Sequence, residues 1–168
     1  MSPLELLWNG WRSEYIEGLS EVPAGGGSVF TRILASGLPD GETHIVHRGR
    51  CSFAIMNAFP YTTGHLLVLP YREVADPAEL GPDEAADLWA TVTVASHVVR
   101  DALHATGVNI GLNLGRSAGG SVQEHLHVHV VPRWVGDANF LTTTAYARTL
   151  PEALPVTAGK LRAAWPTA

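Results

Sequence analysis

Cysteine is nearly absent. Cys51 stands alone in 168 residues, so neither an intrachain disulfide framework nor a four-cysteine zinc site can form. Long apolar runs are missing as well: no stretch reaches the roughly 18 consecutive apolar residues that a membrane-spanning helix needs. Met1 to Gly18 carries Glu5, Arg12, Glu14 and Glu17, and no apolar run long enough for a signal peptide. Positive charge is in deficit, with 11 Lys and Arg against 16 Asp and Glu and a formal net charge of −5. Bulk nucleic acid is normally bound by proteins of the opposite sign, so a nucleotide here must be held by local groups. Charged residues amount to 16% and hydrophobic residues to 46%, a balance that excludes a disordered chain. A chain of this length buries roughly 70% of its unfolded surface, enough for one core without staples. The expectation is one cytoplasmic domain over residues 1–168, with no partner of nucleic acid or membrane.

Apolar spacing then places the elements. Leu4, Leu7, Trp8, Trp11 and Ile16 fall near one face and predict a short helix over Pro3 to Ile16. Pro23 to Gly27 reads as a loose linker. Thr43 to His47 and Ser52 to Asn57 predict a hairpin, and His65 to Pro70, apolar on both faces, a central strand. Gly81-Pro82-Asp83-Glu84 is a helix start, with proline at the first position and acids at the positive end of the dipole. Leu88, Val92, Ala95, Val99 and Leu103 continue that helix, and Gly107 is its expected left-handed stop. Strands are expected over Val108 to Leu114, His125 to Val131 and Phe140 to Thr144, and a closing helix over Pro151 to Trp165. The order predicts an α+β fold: an antiparallel sheet of about five strands, one long helix and shorter terminal helices.

The chemistry concentrates in His125-Leu126-His127-Val128-His129-Val130-Val131. Alternate residues of a strand point the same way, so three imidazoles line one face while Leu126, Val128 and Val130 enter the core. Three neutral imidazoles suggest zinc, but same-face neighbours on a strand stand ~6.5–7 Å apart, whereas zinc ligands must each come within ~2.1 Å of one point. A row of groups along a polyphosphate chain fits better. One histidine attacks phosphorus while its neighbours donate hydrogen bonds, because imidazole is nucleophilic when neutral and a proton donor near pH 6.5.

The pattern His-φ-His-φ-His-φ-φ, with φ apolar, resembles the histidine triad (HIT) superfamily of nucleotidyl hydrolases and transferases. Ser52-Phe53-Ala54-Ile55-Met56-Asn57 and Gly64-His65-Leu66-Leu67-Val68-Leu69-Pro70 are similar to the nucleotide-binding hairpin of its fragile histidine triad branch, and the likeness runs from about Thr43 to Phe140. The resemblance implies that His127 is the nucleophile, forming a covalent nucleotidyl-imidazole at the α-phosphate. It implies that His125 and His129 contact phosphate oxygens and that His129 assists the leaving group. Asn57 would bond a ribose hydroxyl, and His65 would orient the triad. Phe53 and Ile55 would either sandwich a base or serve as core.

Two departures refine the resemblance. Many relatives place a glutamine just before the triad, where it touches phosphate. Here Gly119-Gly120-Ser121-Val122-Gln123-Glu124-His125 puts Ser121 in its place, and Asn113-Leu114-Gly115 and Pro132-Arg133-Trp134 complete a pattern similar to bacterial diadenosine tetraphosphate phosphorylases. That branch passes the nucleotidyl group to inorganic phosphate instead of water, which makes Asn113, Gly120 and Ser121 expected phosphate or nucleotide contacts. A serine hydroxyl and glycine amides suit an anion. The smaller Ser121 side chain also leaves room for the second phosphate. The other departure concerns zinc: several bacterial relatives bind it through Cys-x-x-Cys, where this chain has Ser28-Val29-Phe30-Thr31. Hydroxyls are poor zinc ligands, so no structural metal is expected. The implied activity is transfer at dinucleoside polyphosphates by a homodimer that requires no cofactor, its substrate arriving free or as a magnesium complex. A hydrolase of such substrates or of nucleoside phosphoramidates, and a non-catalytic nucleotide-binding module, are the rival readings. Trp134 fits interface or core packing better than substrate contact.

Overall fold

The computed structural model describes residues 5–6, 26–119, 122–137, 147–148 and 152–167. The expected strand over Phe140 to Thr144 lies outside them, as do Pro23 to Gly25. The predicted N-terminal helix is also largely outside, but its one described piece corrects it. Glu5–Leu6 (β1) is extended and pairs in parallel with Ala147–Arg148 (β7).

The sheet is antiparallel with order β2-β3-β4-β6-β5: Ile45–Arg48 (β2), Ser52–Met56 (β3), Leu66–Pro70 (β4), Val128–Arg133 (β6) and Gly107–Leu112 (β5). Side chains alternate between its faces. Ala54, Met56, Leu66, Val68, Val128 and Val130 form one core with Leu88, Val92, Ala95 and Val99 of the long helix α3 (Pro82–Leu103). Leu154, Ala158 and Leu161 of the closing helix α4 (Leu154–Ala164) complete it. On the other face Phe53, Ile55, Leu67 and Leu69 pack with Ile45 and with Phe30 and Ile33 of a short helix α1 (Val29–Ala35). A one-turn helix α2 (Asp40–Thr43) leads into β2.

Several boundaries shift from expectation. Thr43 ends α2, so β2 begins at Ile45. The long helix stops at His104, which takes the left-handed conformation at φ 52°, three residues before Gly107. The Trp134 indole N–H reaches the Leu103 carbonyl at 3.3 Å, one of the acceptors the helix end leaves open, which is a packing role. The ladder of β6 begins at Val128, so His125 and His127 precede it on a segment that bends at Glu124 and His125 and is anchored by Leu126 N–H to the Val74 carbonyl at 2.6 Å. Among the described residues no helix is long and apolar enough to cross a membrane.

Candidate active site

Register places the site on the α1 face of the sheet. His129 stands opposite Leu67 of β4 and Gly111 of β5. A Cβ built at Gly111 would meet nothing within 4 Å, so the sheet is open beside His129. Leu126, Val128 and Val130 enter the α3 core as the alternation requires, and the imidazoles take the other side. Phe30 meets His125 edge-on at 5.6 Å and His127 at 5.8 Å, while the His127 and His129 rings are 5.1 Å apart. The Tyr61 ring lies nearly parallel to that of His129 at 5.7 Å.

Partner chemistry sets the proton on each ring. His127 Nδ1 lies 2.8 Å from the His125 carbonyl, which can only accept, so Nδ1 carries the hydrogen. The lone pair is then on Nε2, which has no hydrogen-bond partner among the described residues. His65 Nδ1 accepts from the Tyr61 amide at 3.0 Å, so its Nε2–H donates to His129 Nδ1 at 2.9 Å. His129 therefore keeps its hydrogen on Nε2. The Asn113 side-chain amide lies 3.2 Å from that nitrogen, and an N–H there pairs with the amide oxygen, the orientation of an Asn being set by its partners. Burial first, and the like charge of His127 second, push the His129 imidazole down to about 4.

His125 is placed differently from the expectation. Its Nε2 donates to the Pro70 carbonyl at 2.9 Å and its Nδ1 accepts from the Ser28 hydroxyl at 2.7 Å. Both nitrogens are thus engaged by protein, and the ring is 1% exposed, so in this arrangement none is turned toward a phosphate oxygen. Phe53 and Ile55 are both 0% exposed within the α1-side core, which leaves no surface for a base to stack on. The core alternative is the one the packing supports. Asn57 lies at the end of β3, its oxygen accepting from the Phe59 amide at 2.9 Å and its nitrogen 3.2 Å from His65 Nδ1. Gly120 and Ser121 lie outside the described residues.

Ser28, Thr31 and Glu73 escaped the sequence reading as site groups. Ser28 caps α1 and accepts from the Thr31 amide at 3.1 Å, and Glu73 accepts from the Ser28 amide at 2.8 Å and the Thr31 hydroxyl at 2.5 Å. Glu73 is held below the usual carboxylate range, chiefly by the Thr31 hydroxyl. Only the Ser-x-x-Thr spacing is visible in sequence, as the place of a missing cysteine pair; Glu73 is 45 residues away from Ser28 and carries no local signal. Hydroxyls do not fit zinc, and among the described residues no three of His, Cys, Asp or Glu are grouped to hold a metal ion.

Residues 40–135 match the HIT domain family. The chain is 42% identical over 170 aligned positions to a protein of Mycobacterium tuberculosis named AP-4-A phosphorylase, covering 96% of this chain and 85% of that one. It is 36% identical over 106 positions to the asymmetrical bis(5'-nucleosyl)-tetraphosphatase of Schizosaccharomyces pombe, covering 63% of this chain and 57% of that one. Among solved structures it is similar to a Zn-bound histidine triad family protein of Mycobacterium smegmatis, with a TM-score of 0.68 and 30% identity over 83% of this chain and 93% of that one.

Proposed function

Because the chain belongs to the HIT family, we propose that it is a nucleotidyl transferase that cleaves dinucleoside polyphosphates such as diadenosine tetraphosphate. The observation that carries this reading is the His127 ring, tethered through Nδ1–H to a carbonyl with its Nε2 lone pair free among the described residues. Nε2 attacks the α-phosphorus in line. The new P–N bond forms as the bond to the bridging oxygen breaks, and a nucleoside polyphosphate leaves. On substrate binding His129, neutral with hydrogen on Nε2, turns that hydrogen from the Asn113 oxygen to a phosphate oxygen, and His65 holds it in that form. Inorganic phosphate then attacks the same phosphorus, releasing a nucleoside diphosphate and restoring His127. Asn113, Gly120 and Ser121 are the groups we assign to the phosphates, and Asn57 to the ribose.

We further propose that residues 1–168 act as one domain in the cytoplasm, as a homodimer. The dimer reading is supported by β5, an edge of the five-stranded sheet, with Ile110 and Leu112 exposed, and by the exposed Trp89 on α3. Diadenosine tetraphosphate incubated with the protein should give ATP and ADP when phosphate is present. AMP as the main product at millimolar phosphate would make water the acceptor. His127→Ala should abolish turnover while the protein stays folded; a folded variant with near wild-type turnover would overturn the mechanism.

A further inference from the structure

Resting on the proposed transferase reading, we infer that Ser28, Thr31 and Glu73 are positioning residues for the nucleophile, acting through His125. Two segments bond the His125 ring, the start of α1 through Ser28 and the end of β4 through the Pro70 carbonyl. The segment after β4 braces both the start of α1 through Glu73 and the approach to β6 through the Val74 carbonyl. Glu73 is the fixed end, because an ionised carboxylate only accepts. It takes the Thr31 hydroxyl hydrogen and the Ser28 amide hydrogen on one oxygen. With the Thr31 hydrogen so committed, the Ser28 hydroxyl, 3.2 Å from Thr31 Oγ1 and 2.7 Å from His125 Nδ1, gives its hydrogen to the ring. The Pro70 carbonyl demands a hydrogen on the opposite nitrogen. His125 is therefore locked as the Nε2–H form, and its own main-chain carbonyl receives the Nδ1–H of His127.

Adjacent members of the triad thus hold opposite tautomers, and the bracket of three polar side chains stands behind both. Gly27 serves the same arrangement. At φ +101° it has a conformation side chains rarely adopt, and a Cβ there would lie 2.9 Å from the Glu73 oxygen. The bracket touches no reacting atom; loosening it lets the His125 carbonyl drift and the His127 lone pair lose its aim, an error that displacements of about 1 Å convert into large rate losses.

The test combines steady-state kinetics on diadenosine tetraphosphate with multiple-bond ¹⁵N–¹H spectra of the histidines, recorded without substrate. The wild-type spectrum should show His125 protonated at Nε2 and His127 at Nδ1. Ser28→Ala should lower kcat about ten-fold with KM within about two-fold, and the His127 spectrum should shift toward a tautomer mixture. Thr31→Val keeps the Ser28 cap and should show the same changes to a smaller degree, so it carries the test if Ser28→Ala does not fold. Glu73→Gln, which retains an acceptor oxygen, should recover most of the rate lost in Glu73→Ala. Unchanged kcat in the folded variants, or a lost kcat with both tautomers intact, overturns the inference. A wild-type protein with the two opposite tautomers but no turnover would instead overturn the transferase reading.

Discussion

Gly64→Ala tests how the site is braced from behind. Gly64 precedes His65, the residue that orients His129, and has φ +80°. An L-residue in that region costs roughly 1–2 kcal/mol. A Cβ built there would lie 2.2 Å from Leu103 Cδ1 and 3.3 Å from Pro132 Cγ, so Leu103 at the end of α3 must move. Overpacking of this kind costs about 1–3 kcal/mol, with the lower part of that range expected because the clash is with the tip of a flexible side chain. Together the loss should be about 2–4 kcal/mol, measured by urea unfolding with an unchanged slope. In a Leu103→Ala background only the backbone part, about 1–2 kcal/mol, should remain. A Gly64→Ala variant within about 0.5 kcal/mol of wild type would refute the packing argument, and equal losses in both backgrounds would refute the assignment of the clash to Leu103.

Three further outcomes are expected. The His129 pKa is depressed to about 4, so between pH 6.5 and 4 the unfolded chain binds a proton that the folded chain refuses. Stability should be retained above that window and fall as pH drops through it, by at most about 1.4 kcal/mol per pH unit for this site before solvent screening; His129→Asn should flatten the curve, and parallel curves would contradict the argument. Chelators should neither unfold the protein nor release a stoichiometric metal, and about one zinc per chain after dialysis, by elemental analysis, would contradict the hydroxyl argument. Phe53→Ala should cost about 3–5 kcal/mol in chemical denaturation, as a buried core ring does, and a variant of wild-type stability with a raised KM would restore the base-stacking role.

The sequence by itself determined the elements whose cues are local. Period-two alternation around the triad, the proline-and-acid start of α3 and its spacing of apolar residues all reappear in the fold, because each reflects the backbone geometry of a single segment. His127, His129 and His65 are likewise named by motifs a few residues long. Proton placement is not legible there. It depends on which carbonyl, amide or hydroxyl faces each ring nitrogen, and those partners come from Pro70, Tyr61 and Ser28 on other segments. The same holds for Phe53 and Ile55: a strand of apolar residues reads alike whether its face meets a base or a helix. What favours the core reading is the packing of α1 and of Tyr71 over that face, because burial is a property of what packs against a residue and not of the residue itself.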